Sequence, residues 1–283
     1  MTQVTAAPVG SLRAGLGEGP VWDDAAGLLR WIDIRLCRLY ATDIATGETT
    51  FRDLTGSPGC AALTDDGAIL LAIGQGLLVM SANGDLRSVA ALPPGMPGRF
   101  NDGKPDAAGR FWVGTATAEG QFDCALWCHD PGAGFSQRLP GISMSNGIGW
   151  SPDRRRMYYV DSVTQRLDAF AHDPETGAIS DRRAICSLPG DQLPDGLCVD
   201  AEGGIWLAVW GGACVLHLSP EGRELGRVSL PTPLVTSCAF GGPAYRTLFI
   251  TTASEDEDDP YAGRLFAADV GVAGMAPDRV RLR

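Results

Sequence analysis

The stretch GRFWVG at residues 109–114 is the clearest copy of a pattern that recurs along the chain. Each copy is a short aromatic or apolar run that follows a turn punctuated by glycine or aspartate. The copies return at intervals of 39 to 48 residues, measured between one central residue in each: Trp31, Leu70, Trp112, Tyr158, Trp206 and Phe249. A repeat of this length with several short strands per unit is typical of a β-propeller, one blade per repeat. The sequence therefore predicts an all-β fold, a six-bladed β-propeller with four-stranded antiparallel blades, in a single domain spanning residues 1–283.

The first repeat separates into four strands. Val21 and Trp22 belong to an inner strand, and residues 29–34, 38–43 and 50–54 follow as the second, third and outer strands. Short runs between Gly, Asp and Asn turns favour strands, and no segment keeps a helical period. Propellers usually close by pairing strands from opposite chain ends. The sequence leaves open whether residues 1–12 or residues 276–283 supply the last strand.

Composition restricts the partners. The chain of 283 residues is 45% hydrophobic and 20% charged, and its net charge of −11 argues against a nucleic-acid partner, which favours a basic surface. The eight cysteines are scattered without a paired zinc motif. Residues 1–10 have no charged segment followed by an apolar core, and no run of 18 apolar residues occurs. We expect a reduced, cytoplasmic protein without a membrane partner, present as a monomer or a weak homo-oligomer.

One polar position recurs before each anchor. Counting back 10 to 13 residues from the six anchors gives Glu18, Cys60, Asn101, Asn146, Asp195 and Cys238. Equivalent residues of all blades face one end of a propeller channel, so four side chains with oxygen atoms are expected to meet there. Burying them unpaired is costly, and a divalent cation would offset that cost. Cys60 and Cys238 either pack in apolar surroundings beneath the site or act as soft ligands, and their apolar neighbours favour packing.

Six short motifs carry a family resemblance. They are LGEGPVW at residues 16–22, RFNDG at 99–103, SNG at 145–147, PDG at 194–196, WGG at 210–212 and TSCAFGG at 236–242. With these motifs the chain resembles the senescence marker protein/gluconolactonase/luciferin-regenerating family from residue 16 to about residue 270. The resemblance implies a six-bladed propeller with one divalent metal ion in its channel. It also implies hydrolysis of a sugar lactone, such as a glucono-, xylono- or arabinonolactone, to the aldonic acid.

The resemblance also implies roles for individual residues. Glu18, Asn146 and Asp195 match the metal ligands, and Arg99, Asn101 and Glu119 match contacts to the substrate, with Phe100 where the family often has proline. Ca²⁺ is the expected metal, and the donor atoms also suit Zn²⁺, Mn²⁺, Mg²⁺ or Fe²⁺.

The catalytic base is expected to be Asp195, which would orient or deprotonate the attacking water, with Glu119 and solvent hydroxide as alternatives. The three histidines lie outside the ring of polar positions, so a serine–histidine triad has no support. We therefore expect a carboxylic-ester hydrolase of the sugar lactonase kind. Two alternatives remain: a non-catalytic calcium-binding or regulatory propeller, and an esterase for aryl esters or phosphotriesters. The esterase would need an apolar channel mouth, against which Arg99 and Asn101 argue.

Overall fold

Six antiparallel sheets form the blades of a propeller. The computed structural model describes residues 2–117, 121–256 and 258–283. Within these residues the inner strand of each sheet contacts the inner strands of both neighbouring sheets, which closes a ring around a channel. The prediction of a six-bladed β-propeller is confirmed.

The strands follow the chain blade by blade. Two precede the first blade: β1 (Thr2–Thr5) and β2 (Ala7–Val9). Blades one to three contain β3 (Gly17–Asp23), β4 (Leu28–Asp33), β5 (Arg38–Thr42), β6 (Thr49–Asp53), β7 (Pro58–Leu63), β8 (Ile69–Ile73), β9 (Gly76–Met80), β10 (Leu86–Ala91), β11 (Arg99–Pro105), β12 (Phe111–Ala116), β13 (Cys124–Asp130) and β14 (Gly134–Ile142). Blades four to six contain β15 (Ser145–Trp150), β16 (Arg156–Asp161), β17 (Arg166–His172), β18 (Ile179–Ser187), β19 (Leu193–Val199), β20 (Ile205–Trp210), β21 (Cys214–Leu218), β22 (Glu224–Ser229), β23 (Val235–Gly241), β24 (Thr247–Thr252) and β25 (Leu265–Asp269). Among the described residues, no helix is long and apolar enough to cross a membrane.

The N-terminal segment closes the ring. Strand β2 pairs antiparallel with β25, with Ala7 opposite Ala267 and Val9 opposite Leu265, and so becomes the outer strand of blade six. Strand β1 pairs parallel with β22 and adds a fifth strand to blade five. The question left open by the sequence is thereby answered in favour of residues 7–9, and blade five departs from the four-stranded antiparallel pattern.

The six anchor residues all lie on the second strand of their blade, and all are buried. They pack into apolar clusters between neighbouring blades. Trp206, for example, meets Phe240 and Phe266 between blades five and six. Because burying an aromatic side chain of this kind stabilises a fold by about 1.5–3 kcal/mol, the repeat marks the residues that hold each blade to the next.

Buried aspartates connect two of these anchors to the turn before them. Asp106 accepts a hydrogen bond from Trp112 Nε1 at 2.9 Å, and Asp200 accepts one from Trp206 Nε1 at 2.8 Å. The other oxygen of each carboxylate accepts backbone N–H groups of its own turn, as from Arg110 N at 3.1 Å. One carboxylate therefore fixes both the turn and the tryptophan.

A C-terminal strap, residues 273–281, crosses the face of the propeller opposite the starts of the inner strands, and it touches every blade. It pairs with Asp200 and Tyr245 in blades five and six, and with Thr64 and Gly109 in blades two and three. Arg279 pairs with Asp24 in blade one, and Asp278 forms a two-pronged ion pair with Arg154 in blade four. Residues 275–278 also line a channel cavity of about 120 Å³ together with inner-strand residues. The strap thus lies across this face of the channel and forms part of the cavity wall.

Candidate active site

Every inner strand carries one extra residue relative to its partner strand, near its start. In blades three, four and five the unpaired stretch begins at Asn101, Asn146 and Asp195, immediately after the last paired residue. In blade one Glu18 is still paired, and the bulge follows it at Gly19. A β-bulge turns a side chain away from the regular pleat, and bulges are common beside active sites. The four polar residues predicted from the spacing therefore lie at the same end of the channel.

The two cysteines lie off this position. The extra residue is Gly59 in blade two and Thr236 in blade six, so Cys60 and Cys238 follow one and two residues later and rejoin the ladder. Both cysteines are buried within apolar clusters. Burial, with the charges of nearby carboxylates, raises the pKa of the Cys60 thiol well above its usual range. Their position fits packing rather than metal binding.

A chain of side-chain hydrogen bonds joins three of the candidate residues. Arg99 Nη1 donates to Asn101 Oδ1 at 2.9 Å and to Phe100 O at 2.8 Å. Asn101 Nδ2 donates to Asn146 Oδ1 at 3.0 Å, and Asn146 Nδ2 in turn donates to Ser162 Oγ at 2.7 Å. This chain fixes both amide orientations, so that Asn146 Oδ1 faces Asn101 and its nitrogen faces Ser162.

Three buried carboxylates lie close enough to affect one another. Burial, then the charge of Asp102, raises the pKa of Glu18 to about 8. Burial, then the charges of Glu18 and Asp102, raises the pKa of Asp195 well above its usual range. Asp195 Oδ1 finds no hydrogen-bond partner among the described residues. Ionising both carboxylates here is therefore unfavourable without a nearby positive charge.

These donors fit a divalent cation. Glu18 and Asp195 offer carboxylate oxygens, and Asp195 Oδ1 has no hydrogen-bond partner in the described part of the chain. Asn146 offers an amide oxygen that accepts one hydrogen bond from those residues. Oxygen donors of this kind suit hard cations such as Ca²⁺. In the described part of the chain no three His, Cys, Asp or Glu side chains are arranged as a cation site, so the set depends on the amide of Asn146.

Sequence reasoning missed Asp102 and Lys104, which follow Asn101 on β11. Both line the cavity that residues 275–278 of the C-terminal strap also line. The ammonium group of Lys104 lowers the pKa of Asp102 against the larger effect of burial, and Lys104 Nζ donates to Leu197 O. The pairing of an acidic and a basic residue in RFNDGK at residues 99–104 could have indicated them. Selecting only one residue per blade leaves them out.

The remaining predicted contact, Glu119, lies outside the described residues.

Comparison with known proteins agrees with the fold and the motifs. Residues 16–254 match the family described as SMP-30/Gluconolactonase/LRE-like region. The chain is 36% identical over 282 residues to the pentonolactonase XacC of Haloferax volcanii, covering 95% of each chain. It is 34% identical over 278 residues to the regucalcin of Homo sapiens, covering 92% of this chain and 93% of that one. A solved calcium-binding protein, regucalcin, from Agrobacterium tumefaciens superposes with a TM-score of 0.93 at 30% identity over the whole of both chains.

The chain belongs to the SMP-30/gluconolactonase/LRE family, which includes sugar lactonases and regucalcins. The resemblance inferred from the six motifs is confirmed.

Proposed function

We propose that this protein is a metal-dependent hydrolase that opens a sugar lactone to the aldonic acid. The observation that carries the proposal is Asp195 Oδ1, which is buried near Glu18 and has no hydrogen-bond partner among the described residues. It lies at the same end of the channel as the hydrogen-bonded chain of Arg99, Asn101 and Asn146. One divalent cation held by Glu18, Asn146 and Asp195 accounts for the buried negative charge. The pentonolactonase among the relatives supports a lactone as the substrate.

Arg99 and Asp195 have separate roles in the proposed reaction. A bound divalent cation supplies positive charge for the lactone carbonyl and acidifies a water molecule. Arg99 is held by Asn101 and by Phe100 O through one nitrogen, which leaves its other N–H groups for a sugar hydroxyl or the developing carboxylate. Asp195 would orient the attacking water and accept its proton as the water oxygen bonds to the carbonyl carbon. When the ester C–O bond breaks, the same proton would pass from Asp195 to the ring oxygen, which leaves as a hydroxyl group.

A second candidate function is calcium binding without catalysis. The solved relative with a TM-score of 0.93 is described as a calcium-binding protein. The ligand set proposed for catalysis would serve this function equally well. The two candidates differ in whether a bound cation leads to lactone opening.

The test removes the metal and returns it. Protein treated with a chelator should lose the release of acid from a panel of 1,4- and 1,5-aldonolactones, and Ca²⁺, Mn²⁺, Zn²⁺, Mg²⁺ or Fe²⁺ added singly should restore it to different extents. Asp195→Asn should keep the fold but lose turnover by more than about 100-fold, beyond the 10- to 100-fold effect typical of outer partners of a metal ligand. If metal-loaded wild-type protein opens none of the lactones, the non-catalytic function replaces this proposal.

A further inference from the structure

Each of the three proposed metal ligands follows a residue whose backbone carbonyl accepts a hydrogen bond from a neighbouring blade. In each case the backbone carbonyl of the residue just before the ligand accepts a hydrogen bond from a side chain of the preceding blade. The three bonds are Thr236 Oγ1 to Gly17 O at 2.6 Å, Asn101 Nδ2 to Ser145 O at 2.8 Å, and Ser162 Oγ to Pro194 O at 2.7 Å. They precede Glu18, Asn146 and Asp195 respectively.

Blades without a proposed ligand lack this arrangement. In blade two, neither Pro58 O nor Gly59 O accepts a side-chain hydrogen bond from the described residues. In blade three, the carbonyl before Asn101 is held by Arg99 of its own strand rather than by another blade. The bond from blade to blade therefore accompanies the proposed ligands.

Among the three donors, Ser162 is hydrogen-bonded to one proposed ligand and to the strand that carries another. It begins the short 3-10 turn after β16, and it is 2% exposed. Its oxygen accepts the N–H of Asn146 Nδ2 while its own proton goes to Pro194 O. A single hydroxyl group thus orients one proposed ligand and anchors the strand that carries another.

We propose that Ser162 and Thr236 are positioning residues that form the metal site before the cation arrives. This inference rests on the proposed metal-dependent function. Without the Ser162 hydroxyl, the Asn146 amide can turn its nitrogen toward the cation, and the bulge at Asp195 loses its tie to blade four. Without the Thr236 hydroxyl, the strand start that carries Glu18 loses its tie to blade six. Both changes lower metal affinity because the ligands must then be ordered on binding.

The test compares hydroxyl removal with hydroxyl retention. Calorimetric titration of chelator-treated protein with Ca²⁺, and separately with Mn²⁺, should show Ser162→Ala binding about 10- to 100-fold more weakly than wild type. Ser162→Thr, which keeps the hydroxyl, should bind within a few-fold of wild type. Thr236→Val and Thr236→Ser form an independent second pair with the same expected order.

A matched control separates positioning from general stability. Ser151 lies at the other end of the same blade, and its buried hydroxyl donates to Asp153 Oδ1 at 2.6 Å. Ser151→Ala should lower the melting temperature of the metal-free protein about as much as Ser162→Ala while leaving metal affinity unchanged. Equal losses of affinity in these two variants, or affinities within two-fold of wild type in both Ser162→Ala and Thr236→Val, would overturn the inference.

A double substitution tests the orientation of the amide itself. Asn146→Asp presents oxygen on both sides, so removing the Ser162 hydroxyl in that background should cost less affinity than it does in wild type. If removing the Ser162 hydroxyl lowers metal affinity as much in the Asn146→Asp background as in wild type, the part of the inference that concerns Asn146 is contradicted. If the wild-type protein binds no cation in these titrations, the proposed function fails first, and the inference falls with it.

Discussion

At the scale of single residues, the channel mouth holds three carboxylates where the spacing rule selected two. Burial raises the pKa of Asp102, and the charge of Lys104 offsets part of that rise. Burial also raises the pKa values of Glu18 and Asp195; the charge of Asp102 adds to the rise at Glu18, and the charges of Glu18 and Asp102 add to the rise at Asp195. In a buried site, like charges cost far more than at the surface. The metal-free protein therefore carries an electrostatic penalty that a cation would remove.

This penalty predicts an unusual pH dependence for the metal-free protein. The Glu18 pKa is about 8 in the fold and 4.5 ordinarily, so the folded chain binds a proton that the unfolded chain releases between these values. The contribution of Glu18 to the free energy of unfolding is then largest below about pH 4.5 and is lost as the pH rises through about 8. Asp195, whose pKa is also raised, acts in the same direction. Between pH 5 and 9 the melting temperature of chelator-treated protein should fall, and Ca²⁺ should raise it most at high pH.

The control for this prediction is Glu18→Gln, which should flatten the pH dependence without unfolding the protein. A melting temperature of chelated wild-type protein that stays constant or rises from pH 5 to 9 would contradict it. Calorimetry with and without chelator provides the measurement.

At the scale of elements, the inner-strand bulges bring the backbones of neighbouring blades very close. Gly147 follows Asn146 in the bulge of β15, and a Cβ there would lie 2.5 Å from Asp195 O and 2.9 Å from Leu197 N. Backbone atoms of β19 cannot move aside as a side-chain end could. Glycine at 147 is therefore needed for the close approach of the two strands that carry proposed ligands.

We expect Gly147→Ala to push β15 and β19 apart at the site. The free energy of unfolding should fall by about 1–3 kcal/mol, as for other overpacked positions, and Ca²⁺ affinity should fall with it. Gly76→Ala on β9 is the matched control, since a Cβ there meets its nearest atoms at an ordinary 3.6 Å. Denaturant unfolding and calorimetric titration of both variants provide the test, and equal behaviour of the two would argue against the steric account.

The same elements show what the sequence could and could not predict. The anchors were placed on the second strand of every blade because their burial repeats with the blade itself. Gly59 and Thr236 were missed because the spacing between anchor and ring includes a turn whose length varies from blade to blade. Ser162 lies outside the inner strands, and its two bonds depend on how adjacent blades are rotated, which no spacing within one repeat encodes.

At the scale of the whole molecule, closure of the ring depends on the short strand at residues 7–9. Strand β2 covers the outer edge of blade six, while β1 only extends blade five. An uncovered β25 would present unpaired backbone groups to solvent and to other chains.

Deleting residues 2–9 should therefore lower the melting temperature far more than deleting residues 2–5, and it should produce aggregates on size-exclusion chromatography. The shorter deletion removes a strand but leaves the ring closed, so it serves as the control. Similar losses in the two variants would mean that β2 contributes little to closure.

The C-terminal strap affects how a ligand enters and leaves the channel. Residues 275–278 line the channel wall at one face, so we expect a ligand that reaches Arg99 and Asn101 to enter and leave by the opposite face. Under the proposed function, the ring-opened acid leaves by the path that the next lactone must take. Its new negative charge also draws it to the same guanidinium group that received the substrate. Under the proposed function, a second molecule at the channel mouth would then slow release of the product more than binding of the substrate.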